Sequence, residues 1–164
     1  MPLAVSRRHP RWLAIYYYAS GVQKDASIMS LEMLDAARAS AAAGAAEPPA
    51  GASISMHGDG TDNIGPFRLE GDGDTVWGGN LAITFHFKKT YTNRGGREPP
   101  AGHVSHVGYW SEEGPTGTGL GLWGVWEVVT SAPHFELQKG GVFRLVPLTA
   151  ADFKLFYFRK GTYS

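Results

Sequence analysis

Three polar residues stand inside otherwise apolar stretches. His86 lies in Leu81-Ala-Ile-Thr-Phe-His-Phe-Lys-Lys-Thr-Tyr91, His106 closes His103-Val-Ser-His106, and Glu127 follows Trp123-Gly-Val-Trp126. An imidazole and a carboxylate brought together in a dry pocket can pass a proton to and from a substrate, because burial disfavours the charged form of each and so brings their proton affinities closer together. That chemistry suits a cofactor-independent isomerase or cyclase, with His86, His106 and Glu127 as its catalytic candidates. It requires all three to point into one space. On strict alternation, Leu81, Ile83, Phe85 and Phe87 compete with Thr84, His86 and Lys88 for the buried face, and hydrophobicity favours the first set. In that case His86 and Lys88 belong to the solvated side.

A second set of candidates is aromatic. Trp77, Tyr109, Trp110, Trp123 and Trp126 could form the platform of a ligand site, although rings of this size fill β cores more often than they line pockets. Metal chemistry finds little support. His103 and His106 are three apart, which puts them on opposite faces of a strand. The acidic loops Asp59-Gly-Thr-Asp-Asn-Ile-Gly65 and Asp72-Gly-Asp74 lack the spacing and closing glutamate of a calcium loop, and ordinary turns use the same residues. With no cysteine in the chain, thiolate sites, disulfides and a cysteine nucleophile are excluded. There is no nucleophile elbow, and Gly117-Thr-Gly-Leu-Gly121 is followed by neither the lysine of a phosphate loop nor a helix pattern. Neither a metal nor a cofactor is expected. Lys88 and Lys89, with Arg94 and Arg97, read as a solvated basic rim.

The elements that would position these residues are mostly strands. Leu81 to Tyr91 has the longest period-two pattern, and Arg11 to Ala19, with three consecutive tyrosines, also has strand composition. Further strands are expected near 53–57, 66–71, 76–91, 103–111, 119–130, 134–138, 141–147 and 152–159. Glycine-rich turns at Gly58-Asp-Gly60, Gly71-Asp-Gly-Asp74, 93–100, 112–117 and Gly140-Gly141 separate them. One helix is expected, over Ser27 to Ala43, from the three- and four-residue recurrence of Ile28, Leu31 and Leu34, with Asp25 or Ser27 as cap and Gly44 as stop. Residues 1 to 10 read as a flexible lead-in. The organisation predicted is a single structural domain of two parts: an N-terminal segment, 1–52, whose strand and helix pack on an antiparallel β-barrel, 53–164.

Between residues 53 and 147 the chain resembles lipocalin-like and avidin-like up-and-down β-barrels. The likeness rests on Gly65-Pro-Phe-Arg-Leu-Glu-Gly71, Tyr109-Trp110 and Trp123-Gly-Val-Trp126, aromatic and glycine-bearing strands that follow glycine turns. The glycine-x-tryptophan opening of lipocalins is missing at Trp12, so the resemblance carries over a fold and no functional residue. It implies a mainly β, lipocalin-like barrel able to hold one small apolar ligand.

Composition narrows the function. Fifteen basic and fifteen acidic residues give a formal net charge of zero, which offers no field for nucleic acid or an anionic membrane. The apolar run Trp12 to Ala19 is far below the ~20 residues of a membrane span, and the basic N-terminus is a poor secretory leader. The expectation is a soluble cytoplasmic protein, compatible with a homo-oligomer. Its first reading is a binding module for an apolar small molecule or a protein partner. The isomerase or cyclase is the alternative, and a structural subunit docking through its tyrosine-rich segment is the third.

Overall fold

The computed structural model describes residues 2–42, 44, 52–75, 83–92, 102–112, 119–129 and 140–148. A short helix, α1 (Pro2–Arg8), precedes β1 (Arg11–Tyr18) and β2 (Gln23–Asp35); a second, α2 (Ala36–Ala42), precedes β3 (Ala52–Thr61), β4 (Pro66–Thr75), β5 (Ile83–Tyr91), β6 (His103–Ser111), β7 (Gly121–Val129) and β8 (Gly140–Pro147). The eight strands run in sequence order, each antiparallel to the next, and β8 pairs back onto β1. The molecule is therefore a closed up-and-down barrel of the lipocalin-like general pattern, and closure leaves no strand edge unpaired.

Alternation decides what lies inside. Trp12, Ala14 and Tyr16 of β1 point inward, as do Met29, Leu31 and Met33 of β2 and Phe85 and Phe87 of β5. Trp110, Leu122, Trp126, Phe143 and Leu145 complete the packing from β6, β7 and β8. An eight-stranded barrel has an interior just wide enough for its side chains. Burial of each large apolar side chain contributes on the order of 1.5–3 kcal/mol, which makes this filled interior the main source of stability. The apolar face of β5 faces inward, as its alternation predicts.

Three expectations need correction. The expected helix over Ser27 to Ala43 is a strand up to Asp35. Met29, Leu31 and Met33 supply a period of two, and ladders to β1 and β3 on either side outweigh the local helical spacing. Only its tail is helical, capped by Asp35 Oδ1, which accepts from the Ala37 and Arg38 N–H groups, and ended by Gly44 at φ +76°. Second, the glycine pairs 58/60 and 71/73 lie inside β3 and β4 rather than at turns. They face the interior beside large neighbours, and a Cβ on Gly60 would stand 2.7 Å from Phe67 Cζ. Third, β1 and β2 are staves of the barrel wall itself, so residues 1–52 do not pack on a barrel formed by the rest. The tyrosine-rich segment is likewise built into the wall, with Tyr16 inside.

Residues 2–10, expected as a flexible lead-in, are built into the structure. Where β1 ends its pairing, at Ser30 of β2, α1 takes over: Ser6 Oγ accepts the Met33 N–H at 2.8 Å and donates to Leu31 O at 3.4 Å, and Pro10 O accepts the Leu31 N–H. Pro2 is fully buried, and Leu3 and Val5 pack on the core. This helix covers the end of the barrel that carries Arg11, Asp35, Ser111 and Pro147, called the lower end below. Expected strands at 134–138 and 152–159, with the turn at 93–100, lie outside the described residues.

Candidate functional site

The opposite, upper end of the barrel carries a line of polar groups that the rest of the interior lacks. Lys89 has the same parity in β5 as Phe85, Phe87 and Tyr91, so its side chain enters the barrel, and the residue is only 3% exposed. Its ammonium donates to Asp62 Oδ2, and the two side chains are 4% and 2% exposed. Asp62 stands in the turn between β3 and β4. Its Oδ2 also accepts the Tyr91 hydroxyl at 2.8 Å, while Oδ1 accepts the N–H groups of Ile64 and Gly65 at 2.9 and 3.2 Å. Aromatic rings enclose the ammonium: it lies 4.1 Å from the Phe67 centroid, 4.9 Å from Tyr16 and 5.1 Å from Tyr91, each within cation–π reach.

Deeper in, His106 is 1% exposed and lies 4.4 Å from the Phe87 ring in a stacked arrangement, with Phe143 edge-on at 5.0 Å. Its Nδ1 is 3.0 Å from Val104 O and its Nε2 3.0 Å from the Tyr16 hydroxyl. A carbonyl can only accept, so the proton sits on Nδ1, and Nε2 accepts from Tyr16. Asp62, Lys89, Tyr16 and His106 thus follow one another from the upper end inward.

The electrostatics follow from burial. Burial, then the Lys89 charge, lower His106 to about 3, which keeps the imidazole neutral. Burial also lowers the Lys89 ammonium below its ordinary range, though Asp62 opposes this. For Asp62, burial pushes upward, but the charge and hydrogen bond of Lys89, with the Tyr91 hydroxyl and the Ile64 N–H, prevail and hold the carboxyl below the usual carboxylate range. The pair is ionised. Tyr16 and Tyr91 are raised far above a free phenol, first by burial and then by the Asp62 carboxylate, so both remain hydroxyl donors.

The candidates read from sequence are divided by the barrel wall. Of the acid–base set, only His106 points inside; His86 and Glu127 face outward on β5 and β7, so no His–Glu pair forms. The aromatic set divides too. Trp110 points inward at the lower end, 6.2 Å from Trp12, whereas Trp126 points inward at the upper end, 6.1 Å from Tyr16. Tyr109 is 40% exposed on the outer face, Trp123 lies outside with Arg144 stacked 4.4 Å from its ring, and Trp77 falls outside the described residues. Lys89, expected on a solvated rim, is inside; the shared parity with Phe85 and Phe87 is the sequence signal that places it there. Asp62 and Tyr16 had no comparable signal, since only barrel register brings residues 62, 16 and 89 together. Among the described residues no group of histidines and carboxylates could hold a metal ion.

The outer surface is also divided. Val107, Val125 and Val142 form one row across β6, β7 and β8, at 39%, 55% and 49% exposure, flanked by Tyr109 and Val129. Across β2 to β5 a neighbouring row, in register with Ser105 of β6, reads Glu32, His57, Glu70 and Lys88. Beside α1 that charged side forms an open groove of about 590 Å³ lined by Arg7, Asp59 and Arg68 among others. Charges of both signs are mixed along it, as on a solvated face. No helix among the described residues is long and apolar enough to cross a membrane. Comparison with protein-family models, curated proteins and solved structures returns no match, so the functional reading rests on this chain's own residues.

Proposed function

We propose that the barrel binds a small, mainly apolar ligand carrying one neutral polar group, a carbonyl or hydroxyl, at the upper end where Lys89 and Asp62 meet. The supporting observation is the buried ion pair among Tyr16, Phe67 and Tyr91. Burying such ions costs several kcal/mol each, and a hydrophobic pair of similar volume would stabilise the fold as well or better, so stability alone gives no reason for them. The pair is neutral as a unit, which favours a dipolar ligand group over an ion.

The test is a titration with alcohols, aldehydes and hydrocarbons of matched carbon skeleton, followed by thermal shift and by the summed emission of the five tryptophans, of which Trp126 lies at the upper end. Oxygenated members should bind about tenfold more tightly than hydrocarbons, a difference of about 1.4 kcal/mol, and Lys89→Met should abolish the preference. Absence of any response across the panel would refute the reading.

The exterior valine row supports a second reading, a protein partner or second copy seated on β6, β7 and β8. Val125→Glu should then leave the fold intact and abolish association in light scattering. An oligomeric state unchanged by the substitution, with no partner lost, would eliminate that surface.

A further inference from the structure

We infer that Lys89 forms an imine with an apolar aldehyde at the upper end of the barrel, with Asp62 as proton carrier and counter-ion. This deepens the ligand-binding reading and rests on it. The hydroxyl protons of Tyr91 and Tyr16 are already committed, to Asp62 Oδ2 and His106 Nε2. What the lysine adds is a primary amine, held against a carboxylate in an aromatic enclosure from which water is largely excluded. Dehydration of an amine–carbonyl adduct is favoured in such surroundings, because the product is an imine plus one water.

The balance closes with the groups present. Asp62 takes one proton from the Lys89 ammonium, leaving a free amine and a carboxylic acid. The amine nitrogen adds to the aldehyde carbon, and the carbonyl oxygen acquires the proton shed by nitrogen, giving a neutral carbinolamine. Asp62 then returns its proton to that hydroxyl, which leaves as water while the nitrogen lone pair forms the double bond. The product is an iminium beside a carboxylate. Charge is the same before and after: an ion pair at each end with neutral partners between them, and no oxidant or reductant is consumed. The Tyr91 hydroxyl, bound to the same Oδ2, holds that carboxylate in place. Burial also lowers the Lys89 ammonium, which eases its deprotonation, against the opposing pull of Asp62.

The experiment uses the full chain with cinnamaldehyde and decanal as separate probes, sodium cyanoborohydride as trap, and intact mass with peptide mapping as the measurement. One adduct per chain should form, on Lys89 in preference to Lys24 and Lys88. Lys89→Arg, which keeps the cation but has no primary amine, should lose that adduct while retaining the fold by circular dichroism. Asp62→Asn should slow trapping while leaving the lysine in place. Cinnamyl alcohol and decanol, which cannot form an imine, separate the two readings. If they stabilise the protein and the aldehydes give no Lys89 adduct, the imine is refuted and ligand binding stands; if neither alcohols nor aldehydes register, both fall. Adducts spread evenly over the lysines, or unchanged in Lys89→Arg, would also overturn the assignment.

Discussion

Lowering the pH from 7 to 5 should destabilise this barrel through His106 in particular. In the folded state burial among Phe87, Phe143 and Tyr16 holds the imidazole at about 3, whereas a free histidine titrates near 6.5. Below pH 6.5 the unfolded chain therefore binds a proton that the folded chain refuses, so the contribution is full above pH 6.5 and is lost between 6.5 and about 3. Integrating the linkage from pH 7 to 5 gives a loss of about 2 kcal/mol from this residue, or roughly 4–8 °C in Tm for a domain of this size. The assay is guanidinium unfolding at pH 7, 6 and 5, followed by tryptophan fluorescence, for the native chain and for His106→Gln. Gln has no titration in this range, so its stability should change by about 2 kcal/mol less over the same interval. An equal pH slope in both proteins, or an imidazole nitrogen shift showing a protonated His106 at pH 5, would refute the reasoning.

Asp62→Ala should cost about 3–5 kcal/mol in guanidinium unfolding, because it leaves Lys89 buried without its partner and deprives the Ile64 and Gly65 N–H groups of an acceptor; a cost below about 1 kcal/mol would mean that water reaches the ammonium. Since the Asp62 carboxyl is held below its ordinary range, its contribution is complete above the normal carboxylate range and should disappear as the pH falls below it, with acid unfolding as the measurement. Gly108→Ala would place a Cβ 2.7 Å from Trp123 O and 2.8 Å from Phe143 Cζ, and should lower stability by about 1–3 kcal/mol in a thermal melt. A neutral result there would show that the wall between β6 and β8 yields more readily than its packing suggests.

The strands that were legible in the sequence are those whose inward positions are large and whose outward positions are polar. The β5 run meets that condition, and Phe85 and Phe87 point inward as its alternation predicts; in β6 the inward Gly108 and the outward Val107 and Tyr109 break it. β2 does not meet it: small or polar residues such as Ala26, Ser27 and Ser30 blur its period of two, and Ile28, Leu31 and Leu34 coincide with a helical stripe. Its state is set by the two strands beside it. The inward glycines of β3 and β4 misled for a related reason, since a glycine that makes room for a facing ring looks in sequence like one that permits a turn. The candidate site was half legible. His106 stood out as a polar residue in an apolar strand, but its companions come from a turn and from two other strands, and only the closed register assembles them.

The ladder between β1 and β8 has a consequence for biosynthesis. It joins residues 12–18 to residues 141–147, the most distant pairing in the wall, while every other ladder joins consecutive strands. A chain emerging from the ribosome can pair β1 with β2, then β2 with β3, and so on, but β1 keeps one row of N–H and C=O groups open until β8 has been made. That incomplete barrel presents an unprotected edge with Trp12 and Tyr16 beside it, a template for pairing with another chain. The interval between synthesis of β1 and of β8 is therefore the period in which this protein is most exposed to misassembly, and slowing elongation over residues 102–147 should lower the yield of folded protein more than slowing it over residues 2–42.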